Sequence, residues 1–172
     1  MVVRYLNVNG TIQEFIQCGQ MLNRYLKHIS KPQTKLDNHA ICPYAKKYLD
    51  YIWVWKTNNI ENDVVRYTKN FPINKKVVIL ISEPNKYEYD TLIRICDKYQ
   101  TKKLWLAPDH PDHYNEIGGV RTNNEDYAMI LIQDRDDLRK HSEILKKTTY
   151  YNFWSDDYYK EIVKGRENDN ME

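Results

Sequence analysis

The sequence predicts an α/β fold, a single-layer mixed or largely parallel sheet flanked by helices, and three observations carry that prediction. Strand-like and helix-like runs alternate along the chain, as they do in layered α/β structures. Three short apolar runs, "YIWVW", "KVVILIS" and "YAMILIQ", have the length of buried strands, the first alternating as on a strand buried on both faces. Between them lie polar segments whose apolar residues return every three or four positions, as on helices that bury one face.

Taken in order, "VVRYLNV" alternates loosely and stops at Asn9-Gly10, which suits a strand ending in a turn. Thr11 then opens a T-x-x-E capping box with Glu14, and Phe15, Ile16, Leu22, Leu26 and Ile29 follow at helical spacing over about five turns. The polar, Pro-broken stretch "SKPQTKLDNHAI" reads as a surface connection. "CPYAKKYL" is expected to make a short helical turn leading into the strand "DYIWVWKT". Asn58 or Asn59 caps the next helix, whose stripe is Ile60, Val64, Tyr67 and Phe71. "KVVILIS" is the candidate central strand. A helix through Tyr89, Leu92, Cys96 and Tyr99 leads to the short strand "KLWLA", then to a long loop, then to "YAMILIQ" and a helix capped by Asp134. Strand order is not set by this pattern, so thioredoxin-like and ferredoxin-like arrangements both fit.

The aromatic C-terminal run "TYYNFWSDDYYKEIV" reads as a segment laid over the sheet with tyrosine hydroxyls at the rim. Its other reading, a stacking platform for bases, fits less well because Asp156 and Asp157 stand among the rings. One α/β domain over residues 1–163 and a disordered polar tail over 164–172 are expected.

Charge and cysteine usage narrow the partners. The 172 residues carry 26 basic and 24 acidic side chains, a net charge of +2, interspersed without a basic block, so nucleic acid is not an expected partner. No apolar run approaches a membrane span and no charged-then-apolar leader opens the sequence, so no membrane partner is expected. Cys18, Cys42 and Cys96 are odd in number and far apart, which predicts free thiols and a cytoplasmic location. No cofactor is implied.

Two places carry candidate chemistry. Pro43 at the first position of a helical turn would put Cys42 at its N-cap, where unpaired amides and the helix dipole favour thiolate and Lys46 adds positive charge. The alternative is a small buried residue, and that reading also serves Cys18 and Cys96, on apolar helix faces. The second place is "DHPDHYNEIGGVRTNNEDY", which follows the carboxyl end of "KLWLA", where open α/β sheets bind ligands. Asp109, His110, Asp112 and His113 are competent metal ligands, with Glu83 as an outside candidate, yet Pro111 interrupts any helical presentation of them. As a turn, the same residues would bond nearby amides. Gly118-Gly119 permit a tight turn, and Arg121 offers a fork to an anion or pairs with Glu116 or Glu125.

Cys42-Pro43-Tyr44-Ala45-Lys46, "VVILISEP", His110-Pro111 and "VRTNNEDYAMILIQ" occur in an order that resembles an uncharacterised bacterial family. That family reads L-C-P-F-A-K near its start, has a later F-H-P step and places N-R-S-P-Y-P before its last strand. The chain also resembles uncharacterised proteins of marine tailed phages, which would place it in the cytoplasm of a host cell. Tyr44 stands where the family has Phe, and "RTNNEDYAM" lacks the family's Pro. The resemblance implies a shared site for Cys42 and His110 and names no reaction.

Three functions are therefore in view. The first is an enzyme on a small anionic substrate, with Cys42 as nucleophile, His110 as general acid/base, and Lys46, His113 and Arg121 toward the substrate. The second is a non-catalytic, phage-type binding protein, which the 4 Trp and 15 Tyr favour as contact residues, with a small anion, a protein partner or a second copy as its target. The third is a metal-dependent hydrolase using Asp109, His110, Asp112 and His113.

Overall fold

A computed structural model describes residues 6–8 and 12–167. The elements run β1 (Leu6–Val8), α1 (Ile12–Ser30), β2 (Ile52–Lys56), α2 (Ile60–Lys69), β3 (Val77–Ser82), α3 (Tyr89–Tyr99), β4 (Leu104–Asp109), the hairpin β5 (Glu116–Ile117) and β6 (Val120–Arg121), then β7 (Ala128–Asp134) and α4 (Arg135–Leu145). Five strands make one sheet in the order β1-β2-β3-β7-β4, with β1, β2 and β3 parallel and β7 antiparallel to both its neighbours. The mixed α/β class is the one predicted. The β4-to-β7 connection carries only a hairpin, so β7 returns antiparallel, whereas the parallel pairs need their crossover helices.

Period-two alternation divides the core. Ile52, Val54, Ile79, Ile81 and Met129 face α1 and its Cys18, Met21, Leu22 and Leu26. Val78, Leu80, Leu106, Ile130 and Ile132 face α2 and α3 through Ile60, Val64, Leu92 and Cys96. Both β3 and β7 lie between strands and are covered on both sides, which is why their sequences are almost wholly apolar. Two predicted caps are formed: Asn59 accepts from the Asn62 amide and Asp134 from the Asp137 amide. The outer edge of β4 is blunted by a side chain, because the Gln100 amide donates to the Leu106 carbonyl at 2.7 Å and accepts from the Leu106 amide at 2.9 Å. No helix among the described residues is long and apolar enough to cross a membrane.

Two expectations change, and a third falls outside the described residues. Residues 43–48 form successive turns rather than a helix, followed by a 3-10 turn at Leu49–Tyr51, so no helix dipole stands behind Cys42. The capping box falls partly on Thr11, which lies outside the described residues. The chain past residue 163 is not wholly a loose tail: α5 (Asp156–Tyr159), a π turn (Lys160–Lys164) and α6 (Gly165–Glu167) run in succession, and residues 168–172 lie outside the described residues. The C-terminal run is anchored by fully buried Val163 and by the Arg166 carbonyl, which accepts from Arg139 Nε at 2.7 Å. Phe153, Trp154 and Tyr158 pack on the same core face as α1.

A tyrosine-walled cavity as candidate ligand site

Between the α1 face of the sheet and this C-terminal run lies a cavity of about 270 Å³. Its floor is sheet: Ile52, Ile79, Leu131 and the carboxyl end of β4 at Asp109. One side is α1, through Tyr25, Leu26 and Ile29. Another is the turn segment, which presents Cys42, Tyr44 and Tyr48. Helix α4 adds Asp137 and His141. The roof is Tyr150, Tyr151, Trp154, Tyr158, Ile162 and Arg166. Its aromatic rings brace one another: Trp154 stacks on Tyr158 at 4.8 Å between centroids and meets Tyr151 edge-on at 5.2 Å.

Arg166 is the distinctive group on this wall. Its Nε is buried and has no hydrogen-bond partner, and no described carboxylate pairs with its guanidinium. Burial lowers its pKa, and the groups that favour its charge are Tyr151, Tyr158, Cys42 and Tyr150. The Trp154 indole Nε1 is a second buried donor without an acceptor. Buried donors of this kind usually find partners, so the wall carries a surplus of donors.

Cys42 keeps part of its surface exposed, on the cavity wall. Removal from bulk water pushes its thiol up, against the lowering effect of the Tyr44 and Ala45 amides and of Arg166. That is the opposite of the direction expected for an N-capping thiolate. The two amides do reach the sulfur, but without an ordered helix behind them desolvation wins. Cys18 and Cys96 are buried, free thiols.

Asp109 is buried at the floor, 7 % exposed. Its carboxylate accepts from the Asn124 amide at 3.2 Å and from Asn124 Nδ2 at 3.0 Å, and the Tyr25 hydroxyl also reaches it. Desolvation nevertheless raises its pKa to about 6. On the far wall the Tyr48 hydroxyl lies 3.0 Å from His141 Nε2, Tyr44 stacks on the same ring at 3.6 Å, and burial lowers the His141 pKa.

Comparison of the chain with protein families, with curated proteins and with solved structures gave no match. The geometry alone therefore defines the site.

Of the two readings of the long loop, the geometry matches the turn, which is braced from several sides. His110 is 4 % exposed; its Nε2 lies 3.1 Å from the Pro84 carbonyl, and its Nδ1 accepts from the Asp112 amide at 3.1 Å. Both ring nitrogens are spent on backbone, and the ring is not on the cavity wall, so the structure does not bring His110 to Cys42. The imidazole that shares the cavity with Cys42 is His141. Arg121 is likewise committed: Nε to Asn123 Oδ1 at 3.0 Å, one terminal nitrogen to Glu125 at 2.9 Å and the other to the Pro111 carbonyl at 2.9 Å. His113 stacks on Tyr89 at 3.6 Å, and Lys46 is exposed and off the wall.

The four candidate metal ligands diverge. Asp109 turns to Asn124, His110 to Pro84, His113 to Tyr89, and Asp112 to solvent with its side chain 89 % exposed. Among the described residues no group of three such side chains converges, and Glu83 pairs with Lys56 at 2.8 Å. Gly118 and Gly119, with φ of 54° and 72°, make the tight β5-β6 turn as predicted.

Arg166 is not visible as a site residue in the sequence because "GRENDNME" has the composition of a tail. The signal that would have found the arginine is its spacing. Tyr158, Ile162 and Arg166 recur every four residues, so the aromatic helical face continues to Arg166.

Proposed function

We propose that the protein binds a small anionic ligand in this cavity, with Arg166 as the anion holder and the tyrosine rings as walls. The observation that carries the reading is an arginine that lines a cavity and has no carboxylate partner among the described residues. Its buried Nε would normally have an acceptor, because a buried donor left without one costs about 1–3 kcal/mol. A ligand carboxylate or phosphate would supply the missing acceptor through charge-assisted bonds. Most lining side chains are apolar or aromatic, as in small-molecule sites, and the polar third includes four carboxylates.

Thermal unfolding in the presence of small aromatic and aliphatic anions tests this. A ligand present at a hundred times its Kd stabilises by about 2.7 kcal/mol, which at this chain length raises Tm by about 5–10 °C. The rise should vanish in Arg166→Gln, whose backbone carbonyl still accepts from Arg139. A rise of equal size in the variant would remove Arg166 from the site.

The thiol of Cys42 and the imidazole of His141 on one wall favour a second reading, an enzyme acting on the same anion with Cys42 as nucleophile. Ligand recovered unchanged after long incubation with the wild-type protein would count against turnover. Consumption by wild type but not by Cys42→Ser would favour it.

A further inference from the structure

We infer that the ligand is a monocarboxylate with a flat, largely apolar body of about one ring, rather than a phosphate ester or a small hydrophilic anion. This inference rests on the binding reading above and narrows it. The charges around the cavity carry it furthest. Two cations line it, Lys76 and Arg166, and Lys76 already lies 3.5 Å from Asp137. Four acidic residues line it as well: Asp109, Asp134, Asp137 and Glu161. One unpaired guanidinium among four acids can neutralise one negative charge, and a second on the same ligand would meet repulsion.

The donors have the same preference. A single planar fork matches the two oxygens of a carboxylate. Phosphate sites add several backbone amides in a nest or at a helix N-terminus, or further cations. The first turn of α5 is occupied by its own Asp156 and Asp157 and capped by Ser155, and the Tyr44 and Ala45 amides on the opposite wall are turned to the Cys42 sulfur.

Size and wall chemistry define the rest of the ligand. The volume of about 270 Å³ lies just under the range of drug-sized pockets, roughly 300–1,000 Å³. Rings of Tyr25, Tyr150, Trp154 and Tyr158 border it, and aromatic faces pair best with another flat ring, offset or edge-on. The hydroxyls near Arg166 are already engaged in part, Tyr158 with Thr122 and Tyr151 with Ser142. Those two hydroxyls are not wholly free to bond a polyol.

Calorimetric titration of the full chain at pH 7.5 with benzoate, phenyl phosphate, acetate and inorganic phosphate separates the possibilities. The expected order is benzoate at least tenfold tighter than phenyl phosphate and than acetate, no heat from inorganic phosphate, and at least a tenfold loss for benzoate in Arg166→Gln. Phenyl phosphate binding as tightly as benzoate, or inorganic phosphate binding at all, would overturn the carboxylate class while leaving an anion site in place. Acetate equal to benzoate would overturn the ring. No heat from any of the four, or benzoate unaffected by Arg166→Gln, would overturn the binding reading itself.

Discussion

Burying a carboxylate away from water costs more than a few neutral hydrogen bonds return, and Asp109 carries that imbalance. Asn124 donates to it from both backbone and side chain, yet its pKa stands raised from 3.8 to about 6. Between those values the folded state holds more protons than the unfolded one, so stability falls as pH rises from about 4 to about 6. The full difference is on the order of 3 kcal/mol, present above about pH 6 as a penalty. Urea unfolding of wild type and Asp109→Asn across pH 4–7 isolates it, since carboxylates with lowered pKa such as Glu167 act in both proteins. The difference in stability between the two should shift toward the variant as pH rises. Parallel curves would show that Asp109 does not titrate in this window. The loop reading was half legible at this scale. Four ligand-type side chains in five positions advertise polar chemistry, but the sequence does not reveal that each is turned toward a different neighbour.

Among the elements, the caps, the amphipathic stripes and the apolar strands β3 and β7 were legible because each depends on residues close together in the chain. The C-terminal run was not, because its docking depends on partners distant in the chain, on α1 and at Trp105 as well as at Arg139. Gly165 shows the fit. A Cβ there would stand 2.8 Å from Trp105 Cη2 and 3.4 Å from Cζ3. Trp105 is 7 % exposed, with the Arg135 guanidinium 5.2 Å and that of Arg166 6.0 Å from its ring, so it has little room to retreat. Gly165→Ala would gain at most about 1 kcal/mol of helix propensity. Overpacking against a fixed ring costs about 1–3 kcal/mol, so the substitution is expected to be net destabilising and to weaken anion binding by moving Arg166. A urea midpoint equal to or above that of wild type would show that Trp105 yields.

For the whole molecule, the mixed sheet leaves one face to α1 and the other to α2 and α3, and the cavity exists because the C-terminal run bridges α1 and α4 over the first face. The predicted α/β class needed only periodicity. The strand order and the cavity needed tertiary information, since β7 inserts between β3 and β4, and Cys42, Asp109 and Arg166 meet across 124 residues of sequence. The polar connection that precedes Cys42 is held from both sides: its Leu36 is buried, and His39 Nε2 lies 3.1 Å from Thr149 Oγ1 beside the roof. An iodinated benzoate diffused into crystals of the full chain tests the central claim most directly, because anomalous scattering locates the iodine without reference to any assumed pose. The iodine is expected between the rings of Tyr25, Tyr150 and Tyr158, with the carboxylate on the Arg166 guanidinium. Iodine bound only on the outer surface, or a carboxylate turned away from Arg166, would contradict it.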